Sequence, residues 1–116
     1  MIKVERIYAS KEADGTFRVL VDRLWPRGLK RETLHLDAWM KDVAPSTELR
    51  QWYGHDAERW EEFRARYFSE LDARPEAWQP LLEAARRGDV TLLYAARTEQ
   101  FNHALALRDY LEARLG

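Results

Sequence analysis

The sequence predicts an α/β fold: one small domain over residues 1–116, with a short, mainly parallel sheet covered by helices in a Rossmann-like layering. Three observations carry this. Three segments read as strands, Ile2–Tyr8, Phe17–Asp22 and Val90–Ala96. The last is a nearly unbroken apolar run, "VTLLYAA", of the kind that suits a strand buried on both faces of a parallel sheet. A long helical stretch separates the second and third, which is the crossover that parallel neighbours need.

The elements follow in order. "IKVERIY" alternates, with Ile2, Val4 and Arg6 on one face and Lys3, Glu5 and Ile7 on the other. "ADGT" at 13–16 is a turn, and "FRVLVD" after it is apolar and β-branched. Leu36, Trp39, Met40 and Val43 fall at helical spacing and predict a helix there. Pro45 and Ser46 end it, and Ser46 caps a second helix whose apolar stripe is Leu49, Trp52 and Tyr53, stopped by Gly54. Asp56 caps a third, with Trp60, Phe63, Tyr67 and Leu71 on one face. Pro75 interrupts, and Trp78, Leu81, Leu82 and Ala85 give a further stripe ended by Gly88. Phe101–Leu115 reads as the last helix, with Ala104, Leu107, Leu111 and Leu115 inward.

Composition narrows the function. Cysteine is absent, which removes disulfides, thiolate metal sites and a cysteine nucleophile. No apolar run approaches the roughly 20 residues that span a bilayer, and charges interrupt "MIKVERIY" too early for a signal peptide, so no membrane role and a cytoplasmic location are expected. The net charge of −1 argues against a polycation that seeks nucleic acid. The charge is uneven, however: residues 1–31 carry +4 and the remainder −5. That leaves room for a local anion site. His35, His55 and His103 are far apart in sequence with no acidic cluster beside them, so no metal is expected, and no motif calls for a cofactor.

In open parallel sheets, ligands bind beyond the carboxyl ends of the strands. Two segments fall there. "DRLWPRG" at 22–28 offers Arg23 and Arg27 as planar forks for carboxylate or phosphate, Trp25 to stack on a ring, and Pro26 and Gly28 to hold the turn. Asp22 could orient an arginine or act as a base. "ARTEQFNHA" at 96–104 offers Arg97, Thr98, Asn102 and His103: Thr98 as the helix cap, His103 as general acid or base, Asn102 as an orienting group. His55, in "GHD", stands at an exposed corner between two helix ends.

"VLVDRLWPRGLKRE", "LDAWMKDVAPSTELRQWYGHDAERWEEFRARYFSEL" and "VTLLYAARTEQFNHALALRDYL", in this order and spacing, resemble the YeaO-like family, a branch of a large set of bacterial domains of unknown function. The resemblance covers nearly the whole chain and implies a compact α/β fold, with no settled activity to carry over. In the wider set the last helix often opens with Cys-His-Arg; here the position reads Asn102-His103-Ala104, so thiol chemistry does not carry over. Members sometimes bear a MarR-like regulator label, but no winged helix-turn-helix pattern or basic recognition helix is present.

Three readings follow. In the first, Arg23, Arg27 and Arg97 hold a small anionic ligand such as a nucleotide phosphate, Trp25 stacks, and His103 with Asn102 or Asp22 handles a proton. In the second, the Arg/Trp loop binds a protein or a single nucleic-acid strand without catalysis. In the third, the motifs are structural. A concave pocket lined by His103 separates the first from the others. The oligomeric state is not set by the sequence.

Overall fold

The computed structural model describes residues 1–116. Four strands, β1 (Ile2–Arg6), β2 (Phe17–Leu20), β3 (Ala38–Trp39) and β4 (Val90–Tyr94), form one sheet in the order β1-β4-β2-β3. Every pairing is parallel. The helices are α1 (Thr47–Tyr53), α2 (Trp60–Ala73), α3 (Pro75–Arg87) and α4 (His103–Leu115). None is long and apolar enough to cross a membrane.

β4 is central and wholly buried, as its apolar run requires. Alternate residues of the strands serve two different layers. Val19, Val21, Val90, Leu92 and Tyr94 pack with the buried faces of all four helices in the main core. Leu20 and Leu93, together with Ile7 beyond β1, face the other way, onto Trp25, Leu29, Leu34, Leu36 and Trp39. The helices thus cover one face, and the irregular chain between β2 and β3 covers the other.

The predicted helix over Leu36–Val43 does not form. That segment holds β3 and a short 3₁₀ turn, Lys41–Val43. Its backbone bonds to β2 instead: Asp37 N donates to Arg18 O at 2.8 Å and Met40 N to Leu20 O at 2.9 Å. The helical spacing was coincidental, because Leu36 and Trp39 belong to the loop-covered face while Met40 and Val43 belong to the helix-covered one. The two ends of α1 agree with expectation. Ser46 Oγ accepts from Leu49 N at 3.1 Å, and Gly54 closes α1 in the left-handed region at φ 55°. Asp56 caps a 3₁₀ turn that runs into α2, and Pro75 opens α3 rather than breaking it.

A buried arginine fastens the loop face. Arg18 on β2 is 1% exposed. Its guanidinium donates to His35 O, to Ser10 O and to Ser10 Oγ, and lies 3.7 Å from Asp14 and 4.0 Å from Glu5. One side chain therefore ties both loops that follow β1 and precede β3 to the sheet.

Candidate functional site

β2 and β4 end side by side, and Asp22 links their exits. Its Oδ2 accepts from Ala95 N at 3.0 Å, and its carbonyl accepts the Trp39 indole N–H at 2.7 Å. Beyond this point a pocket of about 410 Å³ opens. Its walls are the loop after β2, Ala44 and Pro45, α1 with its His55 corner, and the start of α4. Of the residues singled out in the sequence, Asp22, Arg23, Trp25, Arg27, His55 and His103 line it. Arg27 and His103 thus share one concavity.

Four other residues lie elsewhere. Gly28 shapes the loop from outside, at φ 81°, where a side chain would be strained. Arg97 is exposed and does not reach the pocket. Thr98 is not the cap of α4: its Oγ1 accepts from Gln100 N and Phe101 N, closing a turn. The cap is Asn102, buried, with Oδ1 accepting from Leu105 N at 3.0 Å and Nδ2 donating to Thr98 O at 3.0 Å. Those bonds occupy Asn102, so it orients the helix start rather than a ligand.

The pocket is cationic. Arg23 donates to Ala44 O at 3.2 Å and Pro45 O at 3.4 Å. The turn it grips is held in place by Glu70 of α2, which accepts from both the backbone N and the Oγ of Ser46. Arg27 stands exposed on a loop pinned by Tyr8, whose hydroxyl donates to Arg27 O at 2.7 Å, and by the Trp25 indole, which donates to Leu29 O at 2.7 Å. Arg50 enters from α1 with no side-chain hydrogen bond to protein. Sequence reasoning passed over it inside "STELR". Arg6, at the end of β1, was also missed; it donates to Ala96 O at 3.0 Å and lies over the Tyr8 ring, beside the pocket. None of these four arginines has a carboxylate within 4.0 Å, whereas several arginines of α2–α4 do: Arg64 with Asp109, Arg66 with Glu62, Arg86 with Glu83, Arg114 with Asp72.

At the base stands His103, the first residue of α4. Its Nε2 lies 3.0 Å from Val21 O and 3.2 Å from Asp22 Oδ1. Both oxygens only accept, so Nε2 carries the proton in either charge state of the ring. The N–H is directed at Val21 O, which leaves buried Asp22 Oδ1 without an aligned donor. Nδ1 has no protein partner and is not among the buried unpaired atoms, so it keeps some contact with solvent. The ring sits edge-on to Tyr67, with centroids 6.2 Å apart. Tyr67 donates to Val43 O at 2.6 Å, and burial holds its phenol well above the usual tyrosine range. The Tyr53 hydroxyl likewise donates to Phe101 O at 2.8 Å, with its phenol pushed up by burial.

Three arginines and His103 thus share the concavity with a single carboxylate, Asp22. The lining contains no Ser, Thr, Cys or Lys to act as a nucleophile, and both lining tyrosines are committed to backbone carbonyls. No three His, Cys, Asp or Glu side chains stand together as a metal site.

Comparison with known proteins follows the same chain from end to end. The model of the family described as the inactive DUF488-N3 subclade matches residues 1–116. The sequence is 40% identical over 112 residues to the uncharacterised protein YeaO of Escherichia coli (strain K12), covering 97% of both chains. It is 41% identical over 113 residues to the uncharacterised proteins Rv3073c of Mycobacterium tuberculosis (strain ATCC 25618 / H37Rv) and Mb3100c of Mycobacterium bovis, covering 97% of this chain and 95% of each relative. No solved structure matches.

Proposed function

The chain belongs to the inactive DUF488-N3 subclade, and from that premise we propose that it is a receptor for a small organic anion, held in the strand-end pocket without covalent processing. The observation that carries this reading is the set of arginines, Arg23, Arg27 and Arg50, that line one pocket with no carboxylate to neutralise them. Guanidinium groups without a counter-charge in one pocket repel one another, and an anion relieves that repulsion while meeting the open forks of Arg27 and Arg50 and the donors that Arg23 does not give to Ala44 and Pro45. No serine, threonine, cysteine or lysine lines the pocket beside His103, in keeping with the family's description as inactive.

The test is a calorimetric and thermal-shift panel of phosphate, sugar phosphates, nucleotides and di- and tricarboxylates on the wild type and Arg27→Ala. A ligand that binds only the folded state raises its melting temperature. At least one small anion is expected to saturate, to weaken with salt, and to lose roughly tenfold in affinity in Arg27→Ala. No shift with any anion, or equal shifts in both proteins, overturns the reading.

A further inference from the structure

We infer that the anion is a phosphate monoester with an apolar organic part, an alkyl or aryl phosphate. Arg23, Arg27 and Arg50 take its phosphate, and its hydrocarbon lies against Leu24. This rests on the anion-receptor reading and deepens it.

Charge is the first argument. Three arginines against the single carboxylate of Asp22 leave the lining at +2, with the histidines counted as neutral. A phosphate monoester at neutral pH carries about −1.5 to −2 and puts three strong acceptor oxygens on one group. The donors for those oxygens are open. Arg27 and Arg50 give no side-chain N–H to the protein, and Arg23, which donates from Nε to Pro45 O and from Nη2 to Ala44 O, keeps Nη1 free. A sulfate ester would bring a single charge, and a carboxylate only two oxygens.

Size is the second. A space of about 410 Å³ equals roughly 13 waters at about 30 Å³ each. A phosphate group, about two or three waters' worth, would leave most of it wet, so there is room for an organic part larger than the phosphate.

The third argument is what lines that room. Leu24 stands next to Arg23, lines the pocket and is 63% exposed. Apart from the N-terminal Met1, it is the one exposed large hydrophobic side chain of the protein. A lone leucine on an open surface is ordinary; one beside uncompensated arginines in a concavity offers hydrocarbon a partner where the charge is already met. Ala95 and Ala96 add half-buried apolar side chains to the same lining. Sugar hydroxyls would find few side-chain partners. The lining has no Ser, Thr or Asn, its Tyr8 and Tyr53 hydroxyls donate to Arg27 O and Phe101 O, and its one side-chain amide, Gln51, is exposed. A polyol would lose water there without full replacement, whereas an alkyl or aryl group has no such bonds to lose.

The test is isothermal titration of the wild type and Leu24→Ser with methyl, butyl and phenyl phosphate, ribose 5-phosphate, butyl sulfate, butylmalonate and 1-butanol. In the wild type, butyl or phenyl phosphate is expected to bind roughly tenfold or more tighter than methyl phosphate, ribose 5-phosphate and butyl sulfate. In Leu24→Ser the preference over methyl phosphate should shrink to roughly two- or threefold. Methyl phosphate itself should bind both proteins alike, which shows that the phosphate end and the fold are intact. If methyl phosphate or ribose 5-phosphate binds as tightly as the butyl and phenyl esters, or if the preference is unchanged in Leu24→Ser, the apolar assignment falls and the anion receptor stands. If butyl sulfate or butylmalonate matches butyl phosphate, the phosphate assignment falls and the anion receptor stands. If 1-butanol binds as tightly as butyl phosphate, the anion receptor falls. If no compound binds, this inference falls and the panel of small anions above decides the receptor reading separately.

Discussion

Replacing Arg50 with glutamine separates binding from folding more cleanly than any other change in the pocket. Arg50 is half-buried on α1, and its side chain donates no hydrogen bond to the protein. Its backbone N donates to Ser46 O at 2.9 Å, and its carbonyl accepts from Gly54 N at 3.0 Å; both bonds survive the change. Glutamine matches arginine in helix propensity. What the fold loses is a cation in the last turn of a short helix, about 0.3–1 kcal/mol, and it gains relief from the repulsion of Arg23 and Arg27. The net effect on stability should lie within about 0.5 kcal/mol, typical of a substitution that leaves no group orphaned. For a bound anion the loss is larger: a hydrogen bond to a charged group is worth about 1.5–3 kcal/mol, or roughly 10–150-fold in affinity. Chemical denaturation and calorimetry on the same preparation read both quantities. An Arg50→Gln protein that binds the anion with wild-type affinity refutes the claim that unneutralised arginines do the holding. One that unfolds easily refutes the claim that Arg50 has no structural part.

Other expectations follow from single residues. His55 is the one non-glycine residue at positive φ, 59°, directly after Gly54 in the same region. Left-handed backbone costs about 1–2 kcal/mol, and glycine returns about 0.5–1 kcal/mol of that as chain entropy. His55→Gly should therefore hold or raise the melting temperature while weakening ligand binding; a clear loss of stability would contradict this. Arg18→Met should destabilise by about 1–3 kcal/mol in a urea titration, because it strands the Ser10 and His35 carbonyls while Glu5 and Asp14 keep Lys3. An unchanged midpoint would show the loops are held some other way. At high pH the tyrosines set the limit. Burial raises the phenols of Tyr53, Tyr67 and Tyr94, and burial with the Asp72 hydrogen bond pushes Tyr110 up to about 12, from an ordinary 10.0. Above pH 10 the unfolded chain has lost these protons and the folded chain keeps them, so stability falls as pH rises toward 12. Tyrosinate absorbance should appear together with loss of helix; tyrosinate that forms early in a still-folded protein would contradict the burial argument.

The strands and most helix ends were legible because each rests on local chemistry. β4 could be read from its apolar run, and α1 from Ser46 and Gly54. β3 was not, since it is two residues long and owes its existence to hydrogen bonds with Arg18 and Leu20 in β2, remote in sequence. The apolar residues around it lie at helical spacing but serve opposite faces of the sheet, a fact that only the tertiary fold contains. The strand-end rule brought the loop after β2 and the start of α4 to one place. It could not assign ranks within them. Arg97 and Thr98 follow β4 more closely than His103 does, yet the turn closed by Thr98 carries Arg97 outward and leaves His103 in the pocket lining. Arg50 was illegible because only the fixing of the Ala44–Ser46 turn by Glu70 brings α1 to the pocket.

The net charge of −1 gives the wrong picture of this surface, and the reason lies with Asp22. It is the only carboxylate in the pocket lining and stands next to Arg23 in sequence, the natural candidate to neutralise the arginines. The fold commits it elsewhere. One oxygen is bound to Ala95 N, closing the exits of β2 and β4, and the other lies buried at 3.2 Å from His103. The remaining acidic residues that form ion pairs do so outside the pocket, Glu62, Glu83 and Asp109 among them, each with an arginine on the helical side. Positive charge is left at the strand ends because the nearest anion is structural and the others are out of reach, and this imbalance is the ground on which an anion is proposed there.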